Sequence, residues 1–281
     1  MNKLIFLFGA LVYLVLTHAA ISGVISSNHK WDKTEVRVCW AVKGTVYHDC
    51  DGNSHKLANT NHALSTSELQ KYKDLIRDTV NSEFQKDTVG FSFVGWKECP
   101  ANIEIGFVAD ALISINVERD RKANFGGGSN VGKCKADAAK YLGIPSIGFS
   151  MYVGKWNKPV RFEDRIKLNS LHEFGHLAGL IHEDYIPESP EWIREQKAEI
   201  ITGYNPISVM SYEFLDQIDL YGLSFTTKQL NQRRLLGVWK NDPPSVRINE
   251  AGEIVVKPKL SSGDIRSLQT LYGLIAEEAL R

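Results

Sequence analysis

The chain has 281 residues with 33 basic and 33 acidic side chains, so its formal net charge is zero. At 43% hydrophobic and 23% charged it has a globular composition, which excludes wholesale disorder. The charge balance argues against a nucleic-acid binder or a polybasic membrane protein, and four cysteines are too few for a miniprotein built on disulfides.

Lys3 precedes the apolar run Leu4 to Leu16, and Thr17-His18-Ala19 puts small residues at cleavage-type positions. Residues 1–19 are therefore expected to be a signal peptide, with the remainder secreted or otherwise extracytoplasmic. An uncleaved anchor is the rival reading, because apolar residues continue from Ile21 to Ile25; only then would the chain sit on a membrane. Cys39, Cys50, Cys99 and Cys134 all lie beyond this segment, and an even count in an exported chain favours two disulfides. Three pairings are possible, and Cys39–Cys50 across a local hairpin with Cys99–Cys134 is the one expected.

Val36 to Val42 is apolar and β-branched and reads as a strand; residues 43–64 are polar and read as a loop. Ser65 with Glu68 forms a capping box that opens a helix through about Phe84, with Leu69, Tyr72, Leu75, Ile76 and Val80 on one face. Strands are expected at Phe91–Val94 and Ile103–Val108, a long glycine-rich loop over 120–138, and a further strand at Ile147–Val153. A helix follows from Phe162 to Ala178, with Ile166, Leu171, Phe174 and Leu177 facing a core. Residues 183–207 read as irregular with a helix near Glu191–Ile201, Thr226 opens another helix, and Ser261 with Asp264 caps the last. This is an α+β plan: one catalytic-size domain over 20–281, with an N-terminal lobe of about 31–182 and a C-terminal lobe of about 183–281.

His172-Glu173-Phe174-Gly175-His176 lies inside the Phe162–Ala178 helix. Residues four apart on a helix are about 40° apart around the axis, so the two imidazoles project together and can share one Zn²⁺. Gly179 can end the helix with a positive φ and bring His182 back to the same metal. Three protein ligands leave a position open for water, the mark of a catalytic zinc. Glu173 is next to a ligand without being one, and can act as general base on that water. The five-residue pattern alone arises by chance in about one chain in a hundred of this composition; Gly179 and His182 at their offsets lower that to roughly a few in a hundred thousand.

HEFGHLAGLIH followed by Ser208-Val209-Met210-Ser211-Tyr212 resembles the metzincin zinc endopeptidases. Glu183 directly after His182, and Tyr212 two residues after Met210, resemble the astacins most. The Ser-Val-Met-Ser-Tyr string is also similar to serralysins, and Leu260 to Gly273 resembles the last helix of matrixins and astacins. The resemblance implies a twisted, mostly parallel sheet with an antiparallel edge strand and a zinc-binding helix in the N-terminal lobe. A helical or irregular C-terminal lobe would follow, with a cleft between. It also implies that Met210 is an apolar floor beneath the metal, that Tyr212 supports the oxyanion, and that Glu183 ties to the mature N-terminus. Ordinary core positions for Met210 and Tyr212, and a solvated acidic face for Glu183, are the bland alternatives. Residues 20–35 separate the expected cleavage point from the first expected strand, and no latency motif is visible in them.

The functional expectation is an endopeptidase that takes a protein or peptide, with one Zn²⁺ and no nucleotide or nucleic acid. The peptide would pair with an exposed strand, with Ile147–Val153 the candidate. A zinc-holding but inactive interaction module and a hydrolase of non-peptide amides such as cell-wall cross-links are the alternatives. Gly127 to Cys134 nearly matches a phosphate-binding loop but has Cys134 where Ser or Thr must reach Mg²⁺. It reads as a surface loop. His29, His48, His55 and His62 read as surface residues, with an accessory metal in the 48–62 loop left open.

Overall fold

The computed structural model describes residues 24–56, 64–100, 109–122, 124–134, 144–155, 161–182, 198–200, 208–210, 246–248, 254–256 and 258–274. The first strand among the described residues, β1 (Val24–Ser26), stands apart from the main sheet, which begins with β2 (Glu35–Trp40). Beyond it come a small hairpin, β3 (Val46–His48) and β4 (Ser54–Lys56), and the 19-residue helix α1 (Thr66–Phe84). The sheet then gains β5 (Ser92–Glu98), β6 (Ala111–Lys122), β7 (Asn124–Ser129) and β8 (Ser146–Lys155). Its order is β5-β2-β6-β8-β7. Every pair is parallel except β7–β8, so β7 is an antiparallel edge strand.

Helix α2 (Phe162–Leu177) carries the histidine motif and leads into β9 (Leu180–Ile181). Later come β10 (Ala198–Ile200), the antiparallel pair β11 (Val246–Ile248) and β12 (Ile254–Val256), and α3 (Ser262–Leu271). The fold is thus mixed α+β, with a mostly parallel central sheet and three α-helices among the described residues. The core joins Val36, Val38, Ile113, Ile147 and Phe149 of the sheet to Ile76, Val80 and Phe84 of α1 and to Ile166, Leu171, Phe174 and Leu177 of α2. Phe93 bridges the layers edge-on, with its ring centroid 5.1 Å from Phe84 and 4.8 Å from Phe174. Each apolar face falls where the 3.6-residue or two-residue period puts it.

Several expectations are corrected. The disulfides are Cys39–Cys99 and Cys50–Cys134, with Cα separations of 5.0 and 5.1 Å. A local Cys39–Cys50 link requires β2 to turn back on itself. Instead Cys39 lies within a parallel pairing with β5, whose next residue is Cys99, and the Cys99 N–H donates to Trp40 O at 2.7 Å. The 43–64 loop contains the β3–β4 hairpin, turned by Asp49, whose carboxylate accepts the N–H groups of Asp51 and Asn53. The 120–138 loop contains the end of β6 and the whole of β7. Glycine is a poor strand former, but six residues of β7 pair in register with β8. Ile147–Val153 is therefore an interior strand, flanked by β6 and β7. β6 itself was not anticipated, although Ala111, Leu112, Ile113, Ile115 and Val117 are all buried. The expected strand at 103–108 and the helix opened by Thr226 lie outside the described residues, as do the signal segment 1–19 and most of the Glu191–Ile201 helix, whose last described residues form β10. No helix among the described residues is long and apolar enough to cross a membrane.

Candidate metal centre

His172 and His176 sit one turn apart on α2 and both are buried. Just past the end of α2 stands Gly179, whose φ of +99° is open to glycine at little cost; its N–H closes the last turn on His176 O at 2.7 Å. The returning chain is held by β1, which pairs with β9 and with β10 on its other side. Ser26 N–H donates to Gly179 O at 3.1 Å, and the Trp31 indole N–H to Leu177 O at 2.8 Å. His182 follows β9 directly, so this small sheet sets where the third imidazole stands.

The three Nε2 atoms converge: 3.2 Å between His172 and His176, 2.8 Å between His176 and His182, and 3.0 Å between His182 and His172. The Nδ1 of His172 lies 2.6 Å from Val209 O, and that of His176 lies 2.9 Å from Leu180 O. A carbonyl can only accept, so each Nδ1 carries the proton, and the Nε2 of a neutral ring is then a bare lone pair. Two such atoms cannot hydrogen-bond to each other; facing lone pairs repel unless a cation lies among them. Nitrogens on a tetrahedral zinc stand about 3.3 Å apart, so the observed triangle fits such an ion after a relaxation of about half an ångström. Burial also holds the rings neutral. It pushes His172 well below its ordinary value, with a further push from His176 and His182, and brings His176 to about 4 and His182 to about 3. These three side chains can hold a metal ion.

Glu173 is buried on the same helix, and burial pushes its carboxyl up to about 8. Met210 is 1% exposed and packs on α2: a Cβ at Gly175 would lie 2.5 Å from its Sδ. Glycine between the first two ligands thus admits the thioether. Ser208 Oγ accepts the Met210 N–H at 2.9 Å and donates to the buried Asp264 of α3 at 2.7 Å. Val209 O, between them, is the acceptor for His172. The segment 208–210 therefore orients a ligand, and α3 holds that segment. In sequence Asp264 reads only as a capping residue, because its second partner, Ser208, lies far from it along the chain. The predicted site residues His172, Glu173, His176, Gly179, His182 and Met210 are brought together. Glu183 and Tyr212 lie outside the described residues.

No family model matches the chain, and no curated protein does either. Among solved structures, it is similar to the structure of myroilysin at 14% identity and a TM-score of 0.37, over 89% of this chain and 98% of that one. A second, crystal structure of myroilysin aligns at 14% identity and 0.33, over 87% and 86%. The GM1-bound form of the ECX AB5 holotoxin aligns at 8% identity and 0.39, over 90% and 89%. At these values the likeness carries no functional argument, and the site stands on its own geometry.

The phosphate-loop resemblance dissolves. Gly127 to Ser129 are strand, Gly132 N–H donates to His176 O at 2.9 Å, and the Lys133 ammonium is 2.7 Å from Asp32. His55 hydrogen-bonds Asp49 across the β3–β4 turn at 2.7 Å, and His29 Nδ1 lies 3.0 Å from Lys133 O.

Proposed function

We propose that the chain is a secreted zinc-dependent endopeptidase of the metzincin type with an astacin-like ligand set. The reading is carried by one observation: the Nε2 atoms of His172, His176 and His182 converge to within 3.2 Å of one another, with the buried Glu173 next to His172 on α2. His172, His176 and His182 would hold the ion. Zinc bound there supplies a Lewis acid for the scissile carbonyl and lowers the pKa of a coordinated water toward about 7. Val209 O and Leu180 O keep two of the three rings in the ligating tautomer. Glu173 would take the water's proton and return it to the leaving amine. Tyr212 is the proposed donor to the developing negative charge, Met210 the apolar floor, and Glu183 the tie to the mature N-terminus.

The substrate is a protein or peptide, laid extended between the two lobes, 31–182 and 183–281. Its backbone would pair with β7, the edge of the sheet nearest Glu173. Two disulfides favour an oxidising, extracytoplasmic setting.

The test is digestion of a mixed protein pool by the purified zinc-loaded chain, with chelator and Glu173→Gln controls. Wild-type cleavage lost in both controls is expected. Zinc retained without cleavage of any protein would leave the inactive module or the non-peptide amide hydrolase in its place.

A further inference from the structure

The glycine-rich stretch that reads as a surface loop in sequence lies against the carboxyl group at the metal centre. Gly127 of β7 is exposed, yet the place its Cβ would occupy is already taken. Cγ and Oε1 of Glu173 lie 2.7 Å from that position and Cδ lies 2.9 Å from it, all inside the 3.0 Å that real Cβ atoms keep. Nothing lies within 4 Å of the corresponding position on Gly128. Successive residues of a strand face opposite ways, so Gly127 faces α2 and Gly128 faces away.

The strand cannot easily yield. Gly127 is in register with the fully buried Phe149 of β8. Just beyond β7, Asn130 N–H donates to Ser146 O at 3.1 Å and Gly132 N–H to His176 O at 2.9 Å, while Cys134 is joined to Cys50. Gly132 has a φ of +55°, and a Cβ there would collide with His29 O, so this tie also depends on glycine. The edge strand is therefore pinned to β8 and to the carbonyl of a proposed ligand, and a group added at Gly127 displaces Glu173 rather than the strand.

We propose that Gly127 is a positioning residue for Glu173: its missing side chain is the space in which the Glu173 carboxyl group sits, with β7 as the wall that sets its distance. The catalytic consequence rests on the endopeptidase reading above; the placement itself does not. An alanine methyl at 127 forces the carboxyl group to retreat by roughly 0.7 Å to reach the ordinary contact limit of 3.4 Å. A misplacement on the order of 1 Å can cost about 100-fold in rate.

The experiment is a double-mutant cycle with a second readout. Gly127→Ala and Gly128→Ala are each made in the wild-type and Glu173→Ala backgrounds, and thermal unfolding and zinc content are measured for all. Gly127→Ala is expected to lower Tm by about 3–6 °C in the wild-type background and not at all beside Glu173→Ala, because alanine is no worse than glycine in a strand. Gly128→Ala should show no such coupling. Gly127→Ala should keep one equivalent of zinc while kcat on a cleaved peptide falls about 100-fold and KM changes less than about threefold. Equal Tm effects in both backgrounds overturn the proposal, as does loss of zinc or a kcat near wild type. Should Gly127→Ala fold only when Glu173→Ala accompanies it, that is the coupling itself. If wild type cleaves no peptide, the endopeptidase reading fails by itself, and the Tm cycle still decides whether Gly127 sets the carboxyl group's place.

Discussion

Replacing Asp264 by asparagine tests whether the last helix holds the metal site in place. Asp264 is fully buried; one carboxylate oxygen accepts the Ser208 hydroxyl at 2.7 Å and the other the Ser261 N–H at 2.8 Å. Ser208 Oγ accepts the Met210 N–H, and Val209 O accepts from His172 at 2.6 Å. Asparagine keeps the shape but has a single accepting oxygen. Whichever way its amide turns, either the Ser208 hydroxyl or the Ser261 N–H loses its acceptor in a dry site. A buried donor so stranded costs about 1–3 kcal/mol, and the lost charge assistance brings the total to about 2–4 kcal/mol. Thermal unfolding should show Tm lower by roughly 5–10 °C. Because Val209 sits inside the disturbed segment, zinc affinity measured by chelator competition should fall about 10–100-fold. A Tm within about 2 °C of wild type together with unchanged zinc affinity would refute the relay from α3 to His172.

Gly179→Ala should weaken zinc binding in the same competition assay, because φ of +99° costs an alanine about 1–2 kcal/mol and its methyl would meet Leu271 Cδ2 at 2.7 Å. Non-reducing peptide mapping should recover Cys39–Cys99 and Cys50–Cys134; the double variant Cys50→Ser/Cys134→Ser should lose up to about 4–5 kcal/mol in urea unfolding, given its long loop. Stability should fall on acidification below about pH 4. Burial alone raises the Asp110 carboxyl, but hydrogen bonds from Arg37 and Lys33 outweigh it and hold the group below its ordinary value. Burial likewise opposes, and the hydrogen bonds from His55, Asn53 and Asp51 overcome, at Asp49, which titrates at about 2. A depressed carboxyl stabilises the fold above its unfolded pKa and loses that contribution as pH drops through the folded one. Asp110→Asn should flatten the Tm-against-pH curve between pH 4 and 2.

The parts of the molecule governed by local chemistry were legible in the residues. The Ser65–Glu68 and Ser261–Asp264 capping boxes both form, and α1 and α2 end within one residue of their expected bounds. The spacing of His172, His176, Gly179 and His182 was readable because helix period and a glycine turn are local rules. The parts governed by distant partners were not. β7 carries three successive glycines, and its strand character comes from β8, a segment joined to it through residues 130–145. Cys39 finds Cys99 because β2 and β5 lie side by side, which no spacing reveals. Asp264 reads as a cap because its second partner, Ser208, is 56 residues away. Gly127 reads as flexibility because the side chain that needs its empty position is Glu173, on another element.

The most direct measurement is the metal content of the purified chain after saturation with zinc and exhaustive dialysis, wild type beside His176→Ala. One equivalent in wild type and almost none in His176→Ala is the predicted result. Full retention by His176→Ala, or no retained zinc in wild type, would contradict the assignment of His172, His176 and His182 as the metal centre.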